Sequence, residues 1–416
     1  MVVAYQPLRR AERSRADVSE TISTLPLPGR VASLDVCRGL VMLLLLGEAL
    51  SFPDVAAARP ESAVWAFLSH HQQHVPWRGC ALHDVIQPGF SFLVGAAMAF
   101  SIAARRRAGQ TVARMTRHAA WRAFALIALG ILLRSVPYTR TYFTFEDTLT
   151  QIGLGYLPLF ALAFRPRREQ WAAFVAILVG YWAAFALYPV AGPDFNYPAV
   201  GVPADWPHHL TGFGAHWNMN SNLAWAVDTW FLNLFPREHP FVFNDGAWST
   251  LSFIPTLGTM LLGVLAADVL RDTARSPAER VRWLATAGVI CLASALVLDA
   301  AGICPIVKRI WTSTFTLWTG GITLLVLAVT YQVVDVLGRG RWAFPLVVIG
   351  TNSIAAYCLH ELLRPATTRA LTTHLGEGAF RILGNAYYPL LLGATQLAVF
   401  WLILFWMHRR RMFLRI

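Results

Sequence analysis

Apolar residues in this chain fall into long blocks separated by short polar stretches. The blocks lie at about 34–51, 84–104, 119–136, 148–164, 171–190, 249–270, 283–301, 311–335, 343–361 and 385–407. Most run for about 18–24 residues with almost no charge, long enough as helices to cross a hydrocarbon core of roughly 30 Å. The pattern predicts an all-α integral membrane protein, a polytopic bundle of about ten transmembrane helices. Residues 1–33 contain no apolar run and read as a cytoplasmic tail; 34–416 form the transmembrane domain. The first block starts too far from the N-terminus for an ordinary signal peptide, although the AAA at 56–58 imitates a cleavage site. Two connecting segments, 52–83 and 191–248, are too long to be turns, and loops of that length usually carry function. Within the second, 221–235 has apolar residues at helical spacing with Trp225 and Trp230, the pattern of an amphipathic helix lying at the interface.

Charge orients this bundle. The net charge is +12, carried by 34 arginines and one lysine, Lys308. The arginines cluster between blocks, as in Arg105-Arg106-Arg107 and Arg409-Arg410-Arg411. Counting alternate loops, one side receives more than twice the cations of the other, which places both termini inside and makes 191–248 extracytoplasmic. That placement argues for a bilayer partner rather than nucleic acid. At 56% hydrophobic and 14% charged, with a mean hydropathy of +0.47, the composition excludes a soluble enzyme, a disulfide scaffold and a disordered chain. Cys37, Cys291 and Cys358 lie in apolar blocks as packed thiols. Cys80 and Cys304 fall in connecting segments, where a disulfide is conceivable, and no zinc spacing occurs.

Polar groups inside the blocks are costly and therefore informative. In the second block Asp84, Gln87 and Ser91 share one helix face, and Pro88 loosens the helix beside them. Just upstream, QHVPWRG (73–79) turns the chain and holds His74 next to Trp77. A histidine near a carboxylate suits a general base; an interfacial loop histidine followed by an N-cap aspartate fits the same residues. His70, His71 and His83 rank below His74 as candidates, and a metal site from His70, His71 and His74 lacks a carboxylate with ligand spacing. In GTNSIAAYCLHELL (350–363), Ser353 and His360 are seven apart on one face, and His360 and Glu361 reach the end where His74 and Asp84 lie. Two histidines and two acids can meet there, as catalytic groups or as interhelical polar glue. Lys308 opposes the charge bias, either as a snorkelling anchor or as a cation for an anionic ligand group. Arg38 and Asp35 form either an i, i+3 ion pair or a phosphate contact at the inner mouth.

The strings SLDVCRG, QHVPWRG with HDVIQPGFSFLVG, QIGLGY, FNDGAWSTLSFIPTLGTMLLG, PIVKRIWTS, GTNSIAAY with LHE, and RRRMFLRI occur in this order. In them the chain resembles the heparan-alpha-glucosaminide N-acetyltransferase family and its bacterial relatives. The resemblance implies a multi-pass acyltransferase of a bacterial inner membrane. It would move acetyl from cytoplasmic acetyl-CoA to an amino sugar or glycan on the far side. It implies a catalytic role for His74, with Asp84, Asn352 and His360 as further catalytic candidates. Arg38, Ser353, Gln151 and Trp311 are the candidates for the acetyl-CoA side, and Glu48, Trp77, Arg78, Lys308 and Glu361 for the acceptor side. No metal is expected, and a homodimer is compatible with the pattern. The chain departs from the family at Arg78 and Glu48, where animal members carry asparagine, and in the lumenal domain that animal members place before the first span. A carrier or flippase for a polar lipid or sugar, and an O-acyltransferase, are the competing readings. The missing internal repeat weighs against the carrier.

Overall fold

A computed structural model describes residues 31–414, so the basic tail and Arg415 lie outside the described residues. The described chain is helical, and among its residues the only β contact is one isolated bridge between Arg78 and Val307. The helices are α1 (Ala32–Leu46), α2 (Phe52–Ala58), α3 (Ala63–Gln72), α4 (Ile86–Arg107), α5 (Val112–Ser135), α6 (Thr148–Leu162), α7 (Arg167–Leu187), α8 (Leu223–Phe231), α9 (Phe253–Arg271), α10 (Pro277–Ala300), α11 (Ser313–Thr330), α12 (Phe344–Thr351), α13 (Ser353–Cys358), α14 (Arg364–Leu375) and α15 (Tyr388–Arg409).

Among the described residues, eight helical stretches are long and apolar enough to span a bilayer, and the bent pair Arg341–Thr351 and Ser353–Leu375 makes a ninth if it is one span. The protein is thus a multi-pass membrane protein. The expected tenth span, α6, has 15 residues. At 1.5 Å per residue it covers about 22 Å, short of a hydrocarbon core. The span expected at 343–361 is not straight. It breaks at Asn352, bends by 69°, and passes through a π-helical turn at Leu359–Leu363 before α14. Segment 52–83 holds two short helices followed by a loop over 73–81, and the amphipathic stretch at 221–235 condenses to α8. Its Trp230 is exposed.

α4 and α9 form the centre of the bundle, with 67% and 83% of their apolar windows buried, against 22–28% for α1, α5, α7, α10 and α15. That centrality rests on close approach. A methyl group built on Gly95 of α4 would collide with the Met260 carbonyl of α9, and one on Gly263 of α9 would meet the Phe92 carbonyl of α4. Two helices can approach this closely only where neither carries a side chain. At the opposite end from the start of α1, segments 73–80, 188–249 and 301–312 fold into a cap whose core of Trp77, Trp217, Val202, Val307 and Ile310 packs on Phe185 of α7. Cys80 and Cys304 are both free thiols, so the conceivable disulfide is not formed.

Candidate active site

The site is built under this cap, where the chain between α3 and α4 turns back into the bundle. Asp84 lies in the 3-10 turn Leu82–Val85 and is fully buried. Its Oδ2 accepts the Ala81 N–H at 2.8 Å and the Val75 N–H at 3.4 Å, which closes the loop around it. Its Oδ1 stands 2.7 Å from His74 Nδ1. Asp84 is not the N-cap itself, which is Ala81; from the third position of the turn it reaches back to the N-cap N–H and at the same time grips a histidine. At 2.7 Å a proton lies between nitrogen and carboxylate, which assigns it to Nδ1 and leaves the Nε2 lone pair as the base.

Lys308 enters from the 301–312 segment. Its Nζ is 3.4 Å from Asp84 Oδ1 and 3.1 Å from His74 Nδ1. Because Nδ1 already bears a proton, the ammonium serves the carboxylate and not the ring. Trp248 closes another side. It meets the His74 ring edge-on at 5.2 Å, and Lys308 and Arg309 lie over it at 5.3 and 5.0 Å. Burial holds His74 below its ordinary pKa; the hydrogen bond to Asp84 opposes this, and the charges of Lys308 and Arg309 reinforce it. The ring is thus a neutral base at pH 7. Burial also pushes Lys308 down to about 8, against the pull of Asp84.

A second carboxylate stands beside the first. Glu48, in the 3-10 turn that ends the first span, has Oε1 3.3 Å from His83 Nε2 and Oε2 3.2 Å from His360 Nε2. Arg364 approaches Oε2 at 3.7 Å. The His83 ring centroid is 4.4 Å from that of His74. Three spans and the cap loop thus converge on one polar cluster that includes His360, but its second acid is Glu48 and not the expected Glu361, which is exposed and has Arg134, Asp147 and Arg364 as its charged neighbours. The seven-residue spacing did not bring Ser353 along, because the chain breaks before Ser353 and changes to a π turn at Leu359. Ser353 Oγ donates to Gly350 O instead.

The other expected site residues lie elsewhere. Asn352 holds the C-terminal segment, donating to Met412 O and accepting from Leu414 N. Gln151 is buried and donates to the carbonyls of Phe145, Ser249 and Thr250. Trp311 is buried with its Nε1 on Thr259 Oγ1, and Trp77 is buried with its Nε1 on the Trp217 carbonyl. Arg78 makes a two-pronged pair with Asp299, Nε to Oδ1 at 3.0 Å and Nη2 to Oδ2 at 2.8 Å. With Gly79 N bonded to Ile306 O at 2.9 Å, this pair straps the His74 loop to the Lys308 segment. Arg38 pairs with Asp35 at 3.0 Å near the start of α1. His71 Nδ1 accepts the Leu82 N–H, and among the described residues no three His, Cys, Asp or Glu side chains are arranged so as to hold a metal ion.

Sequence reasoning ranked His83 low and passed over Trp248 and Arg364. His83 directly precedes Asp84, and only the 3-10 turn aims Asp84 at His74 and His83 at Glu48. A small cavity on the far side of Trp248 is lined by Asn220, Asn222, Trp225, Asp228, Phe241 and Asn244. It belongs to the long 191–248 segment, and burial lifts its Asp228 to about 6.

Set against known proteins, the chain is 25% identical over 377 residues to the human heparan-alpha-glucosaminide N-acetyltransferase, covering 81% of this chain and 53% of that one. The mouse enzyme of the same name is 23% identical over 374 residues, covering 80% and 54%. The chain is a distant relative of these N-acetyltransferases. It spans about half the length of the curated relatives it matches. No family model matches it. The similarity to these N-acetyltransferases extends over four fifths of the chain, a reach that takes in far more than the His74 loop.

Proposed function

We propose that this protein is a membrane-embedded acyltransferase that moves acetyl from acetyl-CoA to the amino group of a glucosamine-type sugar or glycan. The observation that carries the reading is the buried Asp84 carboxylate 2.7 Å from His74 Nδ1, in a relative of membrane N-acetyltransferases. His74 Nε2 either takes the proton from the attacking amine or carries the acetyl group itself, and Asp84 stabilises the imidazolium that results. Acetyl-CoA approaches from the arginine-rich face, with Arg38 and the neighbouring clusters meeting its phosphates. Ser91, Thr256 and Thr316, on the packed helices α4, α9 and α11, bury hydroxyls without a protein partner. They supply hydrogen bonds for the amides of a pantetheine arm reaching up from that face. The acceptor binds on the His74 face, against Trp248 and the 191–248 segment. The orientation is N-in and C-in, in the inner membrane of a bacterium; it counts the short α6, packed between α5 and α9, as a tenth crossing.

The test is acetyl transfer by purified protein in lipid nanodiscs, with labelled acetyl-CoA and glucosamine. Wild-type protein acetylates the sugar, and His74→Ala is slower by at least about 100-fold. Failure of wild type to consume the thioester removes the acyltransferase reading. Equal rates for wild type and His74→Ala would leave transfer intact and remove His74 from it.

A further inference from the structure

The His83–Glu48–His360 group has no assigned task in the transfer just described, yet it abuts His74. Its parts come from three separate places: the end of the first span, the turn into α4 and the π turn of the broken span. A carboxylate between two imidazoles favours a proton on each facing nitrogen. His83 and His360 then carry hydrogen on Nε2 toward Glu48 and keep a lone pair on Nδ1. That is the tautomer logic of the His74–Asp84 pair, with the nitrogens exchanged. The charged and titratable groups facing this unit are Arg364 of α14, Glu361 of the π turn, and, across the His74 ring, Lys308 and Asp84.

We infer that His83, backed by Glu48 and His360, is a second base that takes the proton of an acceptor arriving as an alkylammonium ion, while His74 serves the acyl transfer. The inference rests on the proposed acetyl transfer and deepens it: the acceptor is recognised in its charged amine form. The proton count requires two bases or one base used twice. An ammonium nitrogen has no lone pair, so one proton must leave before attack, and His83 Nδ1 receives it as Glu48 steadies the imidazolium. The freed lone pair then attacks the acetyl carbonyl carbon. The C–N bond forms, the C–S bond of the thioester breaks, and the second amine proton passes through His74 Nε2 to the departing thiolate. The products are the amide, free thiol and one proton held on His83, which is released to water. Glu48 and His360 are positioning residues in this scheme, and His83 is the group that meets the acceptor.

Rates with glucosamine at pH 6 and pH 8.5 test the inference, because amines of this type titrate near about 8 and are ammonium ions at the lower pH. Glu48→Gln and His83→Gln each lower kcat/KM about 100-fold at pH 6 and fall within about threefold of wild type at pH 8.5, where the acceptor is already neutral. Asp84→Asn, by contrast, is slow at both. Equal losses at the two pH values would mean that the group is interhelical glue, and no loss at pH 6 would mean it is idle; either result overturns the inference. If Glu48→Gln lowers the thermal unfolding temperature in nanodiscs, His83→Gln decides, since it leaves the carboxylate and its contact to His360 in place. Absence of acetylation by wild type at either pH is a separate result, which removes the acyltransferase reading and the second base with it.

Discussion

Asp84 does two jobs with its two oxygens. Oδ2 holds the loop through backbone N–H groups, and Oδ1 sets the tautomer of His74. Asp84→Asn leaves the size unchanged but offers an amide where a carboxylate stood, so the imidazole loses its fixed orientation and its partner for the charged form. Acetyl transfer should fall by about 10²–10⁴, measured as kcat/KM for acetyl-CoA with unchanged protein yield. Lys308 acts on the same ring through charge. It holds the His74 pKa down both by repulsion and by sharing Asp84. A base must be neutral to work, so the acidic limb of the pH–rate profile reports His74. Lys308→Met should move that limb to higher pH, and a limb that stays in place would detach the lysine from the histidine. In wild type the ammonium itself discharges near about 8, and a change in rate there that disappears in Lys308→Met identifies it.

At the scale of elements, the site depends on two contacts that a residue-by-residue reading does not contain. One is the glycine approach of α4 and α9, which fixes where the turn carrying His83 and Asp84 sits. Gly263→Leu places a side chain against the Phe92 carbonyl. Overpacking of this kind costs about 1–3 kcal/mol, and it should appear as a lower unfolding temperature together with lost transfer activity. The other is the strap between Arg78 and Asp299. Arg78 is half exposed, so the pair contributes only about 0.5–1 kcal/mol to stability. Its larger effect is on position, since it joins the His74 loop to the segment bearing Lys308. Arg78→Ala and Asp299→Ala should each reduce activity by more than their stability cost explains, and the double variant should be no worse than either single one. The broken span has the same logic. The π turn at Leu359–Leu363 turns His360 toward Glu48, and Gln396 of α15 supports it by donating to Arg364 O at 2.8 Å.

At the scale of the whole molecule, the arginine clusters and the polar site occupy opposite ends of the bundle, while single arginines (Arg78, Arg309 and Arg364) stand at the site. The clusters at the ends of α4, α9 and α15 lie where those helices leave the face at which α1 begins; His74, Lys308 and Trp248 lie under the cap. On the proposed orientation, with the positive face inside, donor and acceptor would reach the site from different compartments. A reporter fused after Arg411 should read cytoplasmic, and one inserted in the exposed stretch of 191–248 should read external. A reversed pair of readings would overturn the orientation and, with it, the proposed route of acetyl-CoA.

Much of this architecture was legible in the chain itself. Blocks of apolar residues long enough to cross a bilayer dictate helices, because no other structure satisfies backbone groups in lipid over such lengths. The arginine loops dictate a preferred orientation, and His74, Asp84, Glu48, Lys308 and His360 stand out because ionisable groups near lipid are expensive. The chain could not specify which of the scarce polar residues meet. Asn352, Ser353, Gln151, Trp77 and Trp311 looked equivalent to the others by composition, yet each is spent on a carbonyl or a neighbouring hydroxyl of the fold. His83 looked like a minor neighbour of Asp84, yet it faces a different carboxylate. Those outcomes were decided by tertiary structure. A helix break, a π turn and a two-glycine contact shift side chains by angles that hydrophobic periodicity does not encode, and partners more than 200 residues apart are found only when the helices pack.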